Sequence, residues 1–152
     1  MEPLTALSIA AAVVQFVDFS SSIIQGAVDN YKSASSQAIG NHELATIAQD
    51  LSRLIGDVEC KLRDGGSDNT GSSTPTYHIF CRLCDDCRKV QVELDRIFAR
   101  LRPQGENKLA LAVSSFATEL KKVFMAGEIS RLAEHLNQIR QQAIVAVLSL
   151  SL

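Results

Sequence analysis

His78, Cys81, Cys84 and Cys87 form H-x-x-C-x-x-C-x-x-C, the spacing in this chain closest to a metal-ligand set. Zinc takes such imidazole and thiolate donors, four of them at about 2.0–2.3 Å. The surrounding residues read as helix, where each step of three turns the side chain by roughly 300° and rises about 4.5 Å. The ends of the set then stand about 13 Å apart along the axis. At most a neighbouring pair such as Cys81 and Cys84 could share an ion. An iron–sulfur run would want a further cysteine four positions after Cys87, and Gln91 stands there. The expectation is no metal and no cofactor, with the thiols packing as small apolar groups. Four cysteines without a convincing signal peptide place the chain in the cytosol with its thiols free.

Other chemistry is equally thin. His42 lies near the start of a helix, His135 sits among Glu134 and Gln138 on an expected solvent face, and no serine occupies a G-x-S-x-G turn. Asp85 and Asp86 are adjacent and point in different directions on a helix. Neither phosphate-binding glycine pattern is present. No catalytic residue is assigned and no enzyme is expected. A formal charge of −2 also argues against a nucleic-acid binder. The third apolar stripe carries mixed charges, most simply a solvated face; Arg96, Arg100 and Arg102, with Lys121 and Lys122, are its candidate contacts to acidic lipid head groups or a partner.

The elements that carry these residues are helical. A surplus of Ala, Leu, Ser and Gln without Trp favours helices over strands. A second segment places Leu44, Ile47, Leu51, Leu54, Ile55, Val58 and Leu62 at steps of three and four after Asn41, a plausible N-cap. Residues 63–76 are rich in Gly, Ser, Asp and Asn and predict a mobile surface loop. A third helix runs from about Tyr77 to Leu101 through Ile79, Leu83, Cys87, Val90, Leu94, Ile97 and Phe98, stopping before Pro103 and Gly105. A fourth carries Leu109, Val113, Phe116, Leu120, Val123 and Phe124, and a fifth carries Ile129, Leu132, Leu136, Ile139, Ala143, Ile144 and Val147. Gly127 separates or kinks them. Short connections favour antiparallel neighbours. The expected fold is a single all-α domain over 1–152, an up-and-down bundle of four to five helices with a long hydrophobic N-terminal helix at its centre.

That first helix, from Pro3 to about Lys32, is the most unusual segment. The first thirty-one residues hold no Lys, Arg or His, and their only acids are Glu2, Asp18 and Asp29. Between Ala6 and Phe19 apolar residues go most of the way round, so the helix must be hidden in a core or a membrane. A signal peptide wants a basic start. A permanent span wants about 20 predominantly apolar residues, and Gln15 and Asp18 interrupt this one. A core helix remains, or one sheltered at rest and released later. Ser20, Ser21 and Ser22 could bend it.

The opening MEPLTALSIAAAVVQFVDFSSSIIQGAVDNYKSAS, the phrase ELATIAQDLSRL and the helix ending LNQIRQQ resemble the N-terminal domain of fungal NLR-like STAND proteins, NACHT-type or related P-loop receptors. The domain resembled is of the HeLo and HeLo-like group, with the related Ses group as the alternative subtype. The resemblance spans nearly the whole chain. It implies a cytoplasmic bundle that homo-oligomerises on activation and releases its first helix into the plasma membrane, causing the regulated cell death of innate immunity and heterokaryon incompatibility. It also implies a downstream NACHT/STAND NTPase and a repeat sensor, making this sequence an excised domain or a short stand-alone relative. On that expectation Leu4, Leu7, Ile9, Val13, Phe16, Val17 and Phe19 meet lipid or other copies, while Glu2, Asp18 and Asp29 face a lumen or partner. Small residues at four-residue spacing, Ala6 with Ala10 and Ser22 with Gly26, allow close helix contacts. The alternative is an interaction module of such a receptor that oligomerises or docks an effector without touching lipid.

Overall fold

The structure is a computed structural model and describes residues 2–32, 41–66, 75–101, 122 and 127–151. Among them are four helices and no strand: α1 (Pro3–Lys32), α2 (Asn41–Gly66), α3 (Pro75–Leu101) and α4 (Glu128–Ser151). The expected fourth stripe, Leu109 to Phe124, lies outside the described residues. So do the middle of the expected loop, 67–74, and Arg102 and Lys121.

The helices start and stop where local chemistry favours it. Pro3 and Pro75 open α1 and α3, positions where a missing N–H breaks no helical bond. At the start of α1 the amide of Ala6 donates to the Glu2 carbonyl. α2 continues through Arg63 to Gly66, correcting the expected onset of a loop at residue 63; a basic side chain in the last turn suits the helix dipole. α3 begins one half-turn earlier than its stripe suggested, because Pro75 is a good first residue and not a spacer. Gly127 has φ of 71°, a left-handed conformation that glycine adopts freely, and its carbonyl accepts from the Arg131 amide as α4 begins. It therefore marks the start of α4.

Side-chain pairs fix the directions. Arg88 of α3 reaches Glu59 of α2 at 2.8 Å, and Gln91 donates to Ser52 at 3.0 Å, so these helices are antiparallel. Arg100 of α3 pairs with Glu128 of α4, and Asp18 of α1 pairs with Arg140 of α4. The order is up, down, up, down. α1 packs against all three others, and its contact with α3 crosses the bundle. The expectation of an up-and-down bundle built on a long apolar first helix is met.

Each helix feeds the core along a heptad. α1 contributes Ala6, Ile9, Val13 and Phe16; α2 Leu51, Ile55, Val58 and Leu62; α3 Phe80, Leu83, Cys87, Val90, Leu94 and Ile97; α4 Ile129, Leu132, Leu136, Ile139, Ala143 and Ala146. Steps of three and four keep the stripe facing a partner, as in left-handed bundle packing. The half-exposed ion pairs between helices add direction more than stability, since exposed pairs contribute about 0–1 kcal/mol.

α1 departs from the expectation in one respect. It is not wrapped on all sides. Ser8, Gln15, Asp18, Ser22, Gln25 and Asp29 form an exposed stripe at steps of three, four and seven. Apolar side chains occupy so much of the circumference because the neighbours leave only that strip to solvent, and its lower half is polar. At the N-terminal end the strip passes instead through Leu4, Leu7 and Ala11, all exposed.

Ser20 sits at a core position of the same helix, wholly buried, and its hydroxyl has no hydrogen-bond partner. The helix runs on through Ser20, Ser21 and Ser22 without interruption. A buried unsatisfied hydroxyl costs about 1–3 kcal/mol. Ser20→Ala is therefore expected to raise the urea midpoint, by about 1 kcal/mol in unfolding free energy; a lowered midpoint would show that the hydroxyl has a partner in solution.

Candidate functional site

The bundle carries two distinct surfaces and a cluster of thiols along α3. The first surface is apolar and lies where the N-terminal end of α1 meets the C-terminal end of α4. Leu7, Ala10, Ala11 and Val14 face Ile144, Val147 and Leu148 across a shallow groove of about 270 Å³ without a polar atom in its lining. Around it Leu4 is 77% exposed, and Val145 and Leu148 are each more than half exposed. Large apolar side chains gathered at one place on a small domain mark an interaction surface more often than chance exposure does. The sequence explains the gathering: past Ala143 the α4 heptad continues through Ala146, so the larger Ile144, Val145 and Leu148 are turned outward.

The second surface is charged. Glu93, Arg96, Ile97 and Arg100 share one face of α3, and Glu128, Arg131 and His135 share one face of α4; together they line a cavity of about 380 Å³. Ile97 is buried at its base. Arg100 is held by Glu128, whereas Arg96 and Arg131 are exposed and form no ion pair among the described residues.

The thiols of α3 lie along one continuous helix. Cys84 and Cys87 are buried, Cys81 is half-buried, and Cys60 of α2 is exposed. Burial pushes the Cys87 thiol up to about 12, with Cys84 and Asp86 adding to it, and burial raises Cys84 as well. A thiol raised in this way is a poor nucleophile and a poor metal ligand, since both roles need the thiolate. Tyr77 is also raised, by its hydrogen bond to Cys81. Among the described residues no three His, Cys, Asp or Glu side chains are grouped to hold a metal ion.

No family model, curated protein or solved structure matches this chain.

The geometry divides the residues singled out from sequence. Of the first-helix set, Ile9, Val13, Phe16 and Val17 are wholly buried and Phe19 partly so, while Leu4 and Leu7 belong to the apolar surface. Glu2, Asp18 and Asp29 are all exposed; Asp18 bonds Arg140, and Asp29 accepts from Gln25 at 3.0 Å. Ala6 and Ala10 face the core, but Ser22 and Gly26 lie on the exposed strip. Of the basic set, Arg96 and Arg100 share the α3–α4 cavity and Lys122 is exposed.

Sequence reasoning missed Arg131, and it set His135 among ordinary surface side chains, whereas it lines the cavity half-buried. The spacing 128, 131, 135 signalled a common face; only the pairing of α3 with α4 shows what it meets.

Proposed function

We propose that this chain is a resting effector bundle whose first helix is held in the core and released into a membrane on activation. On this reading it is the HeLo-like N-terminal domain of a fungal NLR-like receptor. It lies in the cytoplasm at rest, and homo-oligomerises at the plasma membrane to cause regulated cell death. A NACHT/STAND NTPase and repeat sensor follow in the complete receptor. The observation that carries it is the continuity of the apolar surface with a helix of membrane length. Residues Pro3–Gly26 are long and apolar enough to cross a bilayer, with a mean hydropathy of 1.7, and only 44% of the window with that value is buried. A core helix of a soluble protein can be equally apolar; what distinguishes this one is that the exposed Leu7 adjoins the outward-turned Ile144 and Leu148 of α4 in one apolar patch, with Leu4 exposed one turn before it. Those two side chains offer a first foothold in lipid before any core residue moves.

The reading is tested by dye release from vesicles together with sedimentation of the protein with them. Leu4→Gln with Leu7→Gln changes only exposed positions, so stability should stay within about 0.5 kcal/mol. The expected result is loss of most of the leakage and of vesicle binding with an unchanged melting curve. Leakage equal to that of the unaltered protein would sink the membrane reading. Vesicle-independent self-association with no leakage from either form would favour an interaction module, since Ile144, Val145 and Leu148 could equally meet a protein.

A further inference from the structure

We propose that the cavity between α3 and α4 binds a phosphate monoester, with the guanidinium groups of Arg96 and Arg131 as its principal contacts. The proposal is independent of the membrane reading, because neither arginine belongs to α1 or lines the apolar groove.

Three guanidiniums and two carboxylates line the cavity, so it is positive while the chain as a whole carries −2. Arg100 and Glu128 already satisfy each other. That leaves Arg96 and Arg131 on opposite walls, brought into one concavity by the packing of two helices and without an ion-pair partner among the described residues. Like charges converging in a cleft focus a field that attracts a counter-ion. Guanidinium is the group suited to phosphate, since its planar fork donates two parallel hydrogen bonds to two oxygens.

The other lining residues narrow the ligand. His135 stands one helical turn beyond Arg131 and adds a ring N–H. Glu93 accepts hydrogen bonds and suits hydroxyl groups on the ester, and Ile97 gives an apolar base. A volume of about 380 Å³ falls in the range of small-molecule sites. Bare sulfate would leave most of it empty.

A phosphate monoester can come free in solution or as the head group of phosphatidic acid, and glycerol 3-phosphate shares the chemistry of both. Calorimetry of the intact chain with glycerol 3-phosphate, and its sedimentation with phosphatidylcholine vesicles with and without phosphatidic acid, separate the two sources. Arg96→Gln with Arg131→Gln removes the contacts at exposed positions, and Arg53→Gln on α2 serves as the charge control. The expected result is binding that the double variant weakens about tenfold or more, and that Arg53→Gln leaves unchanged. Binding of the soluble ester without the vesicles assigns the site to a free metabolite. Vesicle binding that the ester displaces assigns it to the lipid. Absence of binding in both arms, or equal binding by the double variant with an unchanged melting curve, overturns the proposal.

Discussion

Phe16→Ala is expected to lower the unfolding free energy by about 3–5 kcal/mol. Phe16 is wholly buried in the middle of α1, at the heptad position where that helix meets its neighbours. Removing the ring forfeits its transfer from water and leaves a cavity that a tightly packed bundle closes only in part. Domains of this kind have only about 5–15 kcal/mol in total, so the variant loses a large fraction. A urea titration followed by circular dichroism reads the loss directly. On the proposed function there is a second consequence. If even about 3 kcal/mol of the loss falls on the opening of α1, the opened population rises about 150-fold, and the variant should leak vesicles faster than the unaltered protein despite being less stable. A variant that is destabilised and leaks more slowly would contradict release of this helix as the active step. Glutamate at Val13 or Phe16 is a poorer probe, because a carboxylate at a wholly buried site unfolds the bundle before it tests lipid contact.

The second large effect concerns alkaline pH and the Cys87 thiol. Its pKa is pushed from the ordinary 9.0 to about 12, so between those values the folded chain holds a proton that the unfolded chain has released. Stability therefore falls as pH rises through that window, and the contribution is fully present below pH 9. Three decades in proton affinity correspond to about 4 kcal/mol. The expected result is a urea midpoint that falls as pH rises from about 9 towards 12, with a shallower fall in Cys87→Ala. An equal fall in both proteins would locate the alkaline sensitivity in other groups. The same burial predicts labelling order. Native protein treated with iodoacetamide should modify Cys60 first and Cys87 last, the latter about a thousandfold slower than in urea from thiolate fraction alone.

Much of the fold is legible in the sequence because spacing and burial answer to the same geometry. Leu51, Leu54, Ile55, Val58 and Leu62 are buried where the periodicity of α2 places them, as are Leu83, Cys87, Val90 and Leu94 in α3. On α3 and α4 adjacent apolar residues offer two registers for the stripe: the periodicity read from sequence takes Ile79 and Ile144, whereas the unbroken heptad passes through Phe80 and Ala146, which are the residues buried. On α1 the heptad even passes through Ser20, a polar residue that no hydropathy pattern would place inside. The upper part of the exposed strip on α1 is hidden in the sequence because Leu4, Leu7 and Ala11, which lie on it, read as apolar. Half of the charged cavity was visible as Arg96 and Arg100 on one helix face. Arg131 and His135 come from a distant part of the chain, and their meeting with α3 is a product of the tertiary pairing.

The way α1 is attached gives ionic strength an unusual role. The broad contact of α1 with the other helices is apolar packing, and the exposed pair of Asp18 with Arg140 contributes little. Salt should therefore leave the hold on α1 almost untouched, while it weakens capture of an anion by Arg96 and Arg131. A titration with sodium chloride would dissect the two proposed activities without any mutation, silencing the ester site while the buried helix keeps its latch.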